Sequence, residues 1–110
     1  MARTLITLPA QIRRDEVIEV RTLVAHPMET GYRPGADGKV LPRDLIRRFS
    51  CTFDDGVTKD LVFSAELFAA ISANPFLAFP LRATSGGTLI FVWEGDNGFR
   101  QAETVALRLA

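Results

Sequence analysis

Residues 16–25, EVIEVRTLVA, carry the pattern that decides the fold. Polar Glu19 and Arg21 alternate there with the residues of a second face, namely Ile18, Val20, Thr22 and Val24. Successive side chains of a β-strand point to opposite faces of the sheet, so a period of two is typical of a strand with one buried face. We therefore predict a strand over residues 16–25 whose apolar face lies in the core.

Strand-like patterns continue along the chain on both sides of this stretch. They cover residues 5–8, 45–53, 57–67 and 76–81, and two later stretches marked by Leu89, Phe91 and Trp93 and by Val105, Leu107 and Leu109. Asp54-Asp55-Gly56 and Asp96-Asn97-Gly98 separate strand-like segments, and such sequences tolerate the positive φ angles of tight hairpins. About seven short strands separated by such turns predict an all-β protein, an antiparallel β-sandwich.

Three segments differ from the simple alternation of a central strand. Residues 64–74 combine helical spacing of apolar residues with several alanines, so we expect one short helical crossover there. Residues 26–43 contain three prolines, which exclude a central strand, and we expect a long loop with a hairpin tip. A connection of this length in a small domain is often functional. Pro80 makes residues 76–81 an edge strand, because proline cannot donate to a central ladder.

The composition limits the possible functions. The 110 residues suit a single domain over residues 1–110, and 13 basic residues balance 13 acidic ones. Nucleic-acid-binding proteins normally carry a basic excess, so we expect no nucleic-acid partner. No stretch approaches the roughly 20 apolar residues of a membrane span, so we expect no membrane partner. One cysteine and one histidine cannot build a zinc site alone, and we expect no metal or other cofactor.

His26 and Cys51 are the only histidine and cysteine, and they are the candidates for nucleophilic chemistry. Cys51 lies between Phe49 and Phe53 on the apolar face of a predicted strand, where burial raises the pKa of a thiol and makes it unreactive. His26 precedes Pro27 in the long loop and lacks companions for a metal site. We favour structural roles for both, and a thiol enzyme that uses Cys51 and His26 stays open as an alternative.

Several strings of the sequence resemble the SoxZ family, whose members are subunits of the thiosulfate-oxidising Sox system. The most specific string is His26-Pro27-Met28-Glu29-Thr30-Gly31, which follows the first predicted long strand. The others, in chain order, are Pro42-Arg43-Asp44-Leu45-Ile46, Phe49-Ser50-Cys51-Thr52-Phe53, Ala73-Asn74-Pro75-Phe76-Leu77 and Asp96-Asn97-Gly98. The resemblance runs in order along nearly the whole chain.

The resemblance implies an immunoglobulin-like β-sandwich without an active site of its own. SoxZ-like proteins form an obligate heterodimer with SoxY, which carries a sulfur intermediate on a cysteine in a flexible glycine-rich tail. Other Sox enzymes of the periplasm contact the carrier transiently. Residues 105–110 of this chain contain neither glycine nor cysteine, so we expect the covalent carrier on the partner.

The resemblance also changes the expected localisation. The N-terminus lacks the pattern of a signal peptide, which taken alone predicts the cytoplasm. SoxZ-like proteins, however, have no signal peptide of their own and are exported folded with a signal-bearing partner. We therefore expect this chain in the periplasm. Export of a complex implies a large, apolar, obligate interface of roughly 2,000 Å² or more.

We expect partners to dock on the long loop and on the apolar edge strand. The candidate residues are His26, Met28, Glu29, Tyr32, Arg33, Arg43, Phe76, Phe79 and Leu81. In the loop, Met28 and Tyr32 would act as apolar anchors, and the charged residues would add polar selectivity. The prolines limit the flexibility of the loop, which lowers the entropy lost on docking. A stand-alone immunoglobulin-like interaction module is the second alternative.

Overall fold

The described residues form seven β-strands in two antiparallel sheets. The computed structural model describes residues 3–68 and 71–110. In chain order the strands are β1 (Thr4–Thr7), β2 (Glu16–Val24), β3 (Ile46–Asp54), β4 (Lys59–Glu66), β5 (Phe76–Ala83), β6 (Gly87–Gly95) and β7 (Arg100–Leu107). A 3-10 helix, Asp96–Gly98, links β6 to β7. The predicted all-β class and strand number are confirmed.

The two sheets have the strand orders β1-β2-β5 and β4-β3-β6-β7. The chain passes from the first sheet to the second between β2 and β3, returns between β4 and β5, and crosses to the second sheet again between β5 and β6. The architecture is an immunoglobulin-like β-sandwich, in which two antiparallel sheets cover each other's apolar faces. β5 lies at an edge of the three-stranded sheet, as Pro80 predicts.

Side chains from both sheets meet in one apolar core. The alternation of β2 is confirmed, because Ile18, Val20 and Val24 are buried in this core. The largest fully buried side chains include Trp93, Phe49 and Phe91 of the four-stranded sheet. Phe63 of β4 stacks on Phe79 of β5, with ring centroids 4.4 Å apart, so the two sheets are in direct aromatic contact.

The helical crossover predicted over residues 64–74 is wrong in the described part of the chain. Residues 64–66 end strand β4, where Ser64 pairs with Ser50 and Glu66 with Arg48. Residues 67–68 and 71–75 contain only bends and irregular structure, whereas Ala69 and Ala70 lie outside the described residues. Pairing with β3 outweighs the small helix propensity of these residues, since tertiary context routinely overrides propensity.

Candidate partner-binding surface

The segment between β2 and β3 (residues 25–45) folds back on itself, and we call it the β2–β3 arm. Glu29 and Asp44 exchange two backbone hydrogen bonds, with N···O distances of 2.8 and 2.9 Å. Farther out, Pro34 and Val40 form an isolated antiparallel bridge. The tip of the arm lies beyond this bridge, so the predicted loop with a hairpin tip is confirmed. Backbone pairing therefore gives the arm a defined shape without making it part of either sheet.

His26 lies inside the base of the arm and is only 5% exposed. Its Nδ1 accepts the backbone N–H of Met28 at 3.0 Å, so the proton of the neutral ring belongs on Nε2. Nε2 lies 3.5 Å from a carboxylate oxygen of Asp44 and has no hydrogen-bond partner among the described residues. The His26 backbone N–H donates to the Asn74 side chain at 3.0 Å, and the Asn74 N–H donates to the His26 carbonyl at 2.7 Å. His26 thus ties the arm to the segment that precedes β5.

Met28 is a second anchor of the arm. It is buried, and its sulfur accepts the backbone N–H of Ile46 at 3.3 Å. Its φ angle of 51° lies in the left-handed region, which a residue with a side chain adopts only where its surroundings hold it. His26 and Met28 therefore support the arm from within, and the outer residues of the arm offer the surface.

Glu29 and Arg33 form a two-pronged ion pair on the exposed side of the arm. Nε of Arg33 donates to one carboxylate oxygen at 3.1 Å, and Nη2 donates to the other at 2.6 Å. The hydrogen bond from Arg33 lowers the pKa of Glu29. Both residues line an open groove of about 530 Å³, which residues 71–73 also line. The pair fixes the direction of the guanidinium beside this groove.

Arg43 pairs with Asp96 of the 3-10 helix rather than with another residue of the arm. Its Nε lies 3.3 Å from Asp96 Oδ2, while Nε of Arg47 donates to Oδ1 at 2.7 Å. Asp96 also accepts the backbone N–H of Leu45 at 3.1 Å. These contacts lower the pKa of Asp96, and the hydrogen bond from Arg47 has the largest effect. Asp96 therefore joins the base of the arm to the turn between β6 and β7, a role that its place in a turn sequence does not reveal.

The remaining candidate residues divide between surface and core. Tyr32 is 85% exposed on the arm, and Phe76 is 59% exposed at the start of β5. Phe79 is 2% exposed and packs in the core, and Leu81 is half-buried against the core. The structure thus gathers the loop candidates into one arm. On β5, Phe76 is the candidate whose side chain is mostly available to a partner.

Two further exposed apolar residues, outside the set predicted from the sequence, lie beside Phe76. Leu5 of β1 pairs with Leu23 of β2, and Leu23 pairs with Phe76 of β5. The three side chains form one apolar row across the outer face of the three-stranded sheet. The alternation of β2 does indicate that Leu23 points outward, but only the register of the three strands reveals the row.

Cys51 lies at the centre of the sandwich and has no exposed surface. Burial raises the pKa of its thiol to about 12, so the reactive thiolate is scarce at neutral pH. The Nδ1 of His26 is already engaged by Met28. The observations therefore do not support a Cys51–His26 nucleophile pair.

Across residues 3–68 and 71–110, no group of three or more metal-ligating side chains comes together. No helix formed by those residues is long and apolar enough to cross a membrane.

These features define the class of the protein as a small immunoglobulin-like β-sandwich with a buried thiol and a structured arm. The model of the family described as "Sulphur oxidation protein SoxZ" matches residues 6–106. The chain belongs to the SoxZ family and is a subunit of the sulfur-oxidation Sox system. No curated protein sequence matches the chain.

Solved structures with the same fold include superoxide reductases. The superoxide reductase (neelaredoxin) from Ignicoccus hospitalis has a TM-score of 0.75 and 18% identity, covering 97% of this chain and 80% of that one. The neelaredoxin from Archaeoglobus fulgidus in the reduced form has a TM-score of 0.66 and 16% identity, covering 94% and 89%. A hypothetical protein from Pyrococcus horikoshii OT3 has a TM-score of 0.68 and 16% identity, covering 96% and 87%. Similarity at this identity shows a shared fold and does not assign a reductase activity to this chain.

Proposed function

We propose that this chain is the non-catalytic subunit of a SoxYZ sulfur-carrier complex. It pairs with a SoxY-like subunit that carries the sulfur intermediate on the cysteine of its C-terminal tail, and it helps present that tail to the enzymes of thiosulfate oxidation. One observation carries the proposal: in this member of the SoxZ family, the sole thiol is buried at the centre of the core. A subunit whose thiol is inaccessible needs a partner to hold sulfur covalently.

The exposed side of the β2–β3 arm supports a docking role. Tyr32 is exposed, and Arg33 is held by Glu29 in a fixed direction. Tyrosine and arginine are enriched among the residues that contribute most to protein–protein binding. Because the arm is anchored at its base by His26 and Met28, docking orders few additional groups.

Co-expression with a SoxY-like subunit tests the pairing. We expect the two chains to co-purify as a heterodimer, and we expect Tyr32→Ala and Arg33→Ala to weaken binding of the partner or of a Sox enzyme by about tenfold, the loss typical of a central contact residue. Val57→Ala, which changes an exposed apolar residue outside the arm, is the matched control. Unchanged affinity in both arm variants would exclude the arm as a docking surface.

Two results would favour the alternatives. Failure to bind any SoxY-like subunit, with a stable chain in isolation, would favour a stand-alone immunoglobulin-like interaction module. Rapid alkylation of Cys51 in the native chain, followed by intact mass, would favour a thiol enzyme. We expect alkylation only after the chain is unfolded, because the buried thiol is protonated and shielded.

We further propose that the chain acts in the periplasm, where it arrives folded with its signal-bearing partner. The family membership supports this proposal. Cell fractionation with the intact partner, and again with a partner whose signal peptide is deleted, tests it. We expect the chain in the periplasmic fraction only in the first case. Recovery of the chain in the periplasmic fraction in the second case would show that its export does not depend on the partner.

A further inference from the structure

The outer face of the four-stranded sheet is organised in rows that follow the strand register. Antiparallel pairing places four exposed residues side by side across β4, β3, β6 and β7, namely Glu66, Arg48, Glu94 and Arg100. We call these four residues the charged row. Side chains directly opposite each other on neighbouring strands lie about 5 Å apart, so the row runs without a gap across the sheet. Its charges alternate, beginning with a negative charge on β4 and ending with a positive charge on β7.

The next two rows of the same face contain no charged residue, and we call them the neutral band. Their members are Ser64, Ser50, Val92 and Ala102 in one row and Leu61, Thr52, Ile90 and Thr104 in the other. A shift in register between Cys51 and Thr52 accommodates Val62 and brings Leu61 into line with Thr52. Val92 and Ile90 do not belong to the buried core. The centre of a protein interface is depleted in charged residues and bounded by a polar rim, which is the composition found here.

The four side chains of the charged row are exposed to solvent. None of its four side chains takes part in the ion pairs formed within residues 3–68 and 71–110. By contrast, Glu19 and Arg21 on the outer face of the other sheet are paired with each other. The charges of the row therefore remain available to a second molecule.

We propose that two copies of this chain pack face to face through the charged row and the neutral band. A two-fold axis parallel to the strands, midway between β3 and β6, sets each β3 against β6 of the second copy and each β4 against its β7. Arg48 then faces Glu94 of the second copy, and Glu66 faces its Arg100. All four charges of each row meet an opposite charge, because the alternating row is complementary to its own reverse. The neutral bands meet between aligned sheets about 10 Å apart.

The charges identify a second copy as the occupant of this face. Self-complementarity of a row is what a two-fold interface requires, whereas a different partner would need only a complementary surface of its own. Four strands about 4.8 Å apart and eight residues long, at about 3.3 Å per residue, cover about 500 Å² of sheet plane. Side chains that project from the sheet make the buried surface larger than this flat area, toward the roughly 800 Å² per partner of a standard interface. The inference goes beyond the proposed function and does not rest on it.

A second two-fold axis, perpendicular to the strands, would pair a different set of charges on the same face. It would set Glu66 against Lys59 and Arg48 against Asp54 of the second copy. Glu94 and Arg100, however, would face the uncharged residues Thr88 and Ala106. The axis parallel to the strands pairs every charge of the row and instead sets Asp54 and Lys59 against Thr88 and Ala106 of the second copy. Both axes pair four charges of each copy, and rescue between substitutions at positions 48 and 94 distinguishes them, because only the parallel axis brings these two positions together.

Sedimentation of the full chain, alone and with its SoxY-like partner, measures the assembly. We expect the chain alone to form a dimer of twice its 12.1 kDa mass, and the complex to contain two copies of each subunit. Arg48→Glu places two like-charge pairs in the dimer, and Glu94→Arg does the same with opposite sign. Each variant should raise the Kd of the dimer by about tenfold or more, since like-charge contacts across an interface cost several kcal/mol.

Mixing the two variants separates contacts between copies from contacts within one chain. Glu at position 48 of one variant would face Arg at position 94 of the other, so the mixture should form a heterodimer that neither variant forms alone. Ile90→Lys should also dissociate the dimer, whereas the matched control Val17→Lys, on the outer face of the other sheet, should not. A monomer at every concentration would overturn the proposal. Failure of the mixture to restore the dimer would also overturn it, as would displacement of the second copy by the SoxY-like subunit.

Discussion

At the scale of single residues, Cys51 is more informative through its location than through its reactivity. It lies between Phe49 and Phe53 on β3, and its alternation with them predicts a buried position. The structure confirms the burial and explains the chemistry, because desolvation raises the pKa of the thiol to about 12. A residue of this kind acts as a small apolar group in the core.

Cys51→Ser should lower the free energy of unfolding by ~1–3 kcal/mol, because the new hydroxyl would be buried without a partner. Sulfur carriage by the complex should persist, since the thiol is not the carrier in the proposed function. Urea unfolding followed by tryptophan fluorescence measures the loss. Thr52→Ser, on the opposite face of β3, is the control and should change stability by no more than about 0.5 kcal/mol. A sulfur adduct on Cys51 in intact mass spectra would contradict this view.

At the scale of elements, the connections are held by polar contacts that no local pattern reveals. Alternation and turn chemistry predict the strands to within a few residues, and Pro80 predicts the edge position of β5. The helix predicted over residues 64–74 fails because local propensity competes there with pairing to β3. The positions of His26 and Met28 inside the arm depend on backbone bonds to distant residues such as Asn74, which the sequence does not display.

Asp96→Asn should lower the Tm at neutral pH, because it removes the carboxylate that Arg43, Arg47 and Leu45 share. The folded state lowers the pKa of Asp96 below its ordinary value of 3.8. Its contribution to stability is therefore complete above about pH 4 and is lost as the pH falls through the lowered pKa. The difference in Tm between wild type and variant should shrink accordingly.

Thermal unfolding at a series of pH values measures this difference. Asp60→Asn, which changes an exposed carboxylate of β4 outside any ion pair of the described residues, is the matched control. It should leave the Tm nearly unchanged. A difference between wild type and Asp96→Asn that stays constant into strongly acidic solution would show that the charge of Asp96 does not stabilise the fold.

Gly95→Ala should be strongly destabilising. Gly95 ends β6 opposite Ile46, and an added Cβ would overlap the carbonyl oxygen of Leu45. Because that neighbour is backbone, the strand pair must move, and we expect a loss of about 3 kcal/mol, the upper end of the range for overpacking. Denaturant unfolding measures it. Gly86→Ala, where the nearest atom is the Leu107 carbonyl oxygen at 3.3 Å, should lose far less. Equal losses would contradict the steric argument.

At the scale of the whole molecule, the fold depends on pairing between distant parts of the chain. β2 pairs with β5 and β3 with β6, so the sandwich closes only when the chain has crossed between the sheets three times. The sequence predicts the number and type of strands, since each strand has its own alternation. It does not predict the register between strands, and both the row of Leu5, Leu23 and Phe76 and the charged row exist only through that register.

Refolding should therefore take milliseconds to seconds, the range typical of sandwiches dominated by non-local pairing. Trp93 is the single tryptophan and is buried between the sheets, so its fluorescence reports closure of the core. Stopped-flow dilution from urea measures the rate. The control is the same experiment at lower chain concentration, because a rate that rises with concentration would report association rather than folding. Complete recovery within microseconds would show that local contacts dominate.

Pro80 has one more consequence, which concerns aggregation. An unpaired strand edge is a template for further strands, and β5 carries exposed apolar side chains at its start. Proline at the middle of this edge removes a backbone donor, so an incoming strand cannot complete a continuous ladder along β5. The residue that marks β5 as an edge in the sequence also keeps newly made chains from adding to one another in an open-ended fibre.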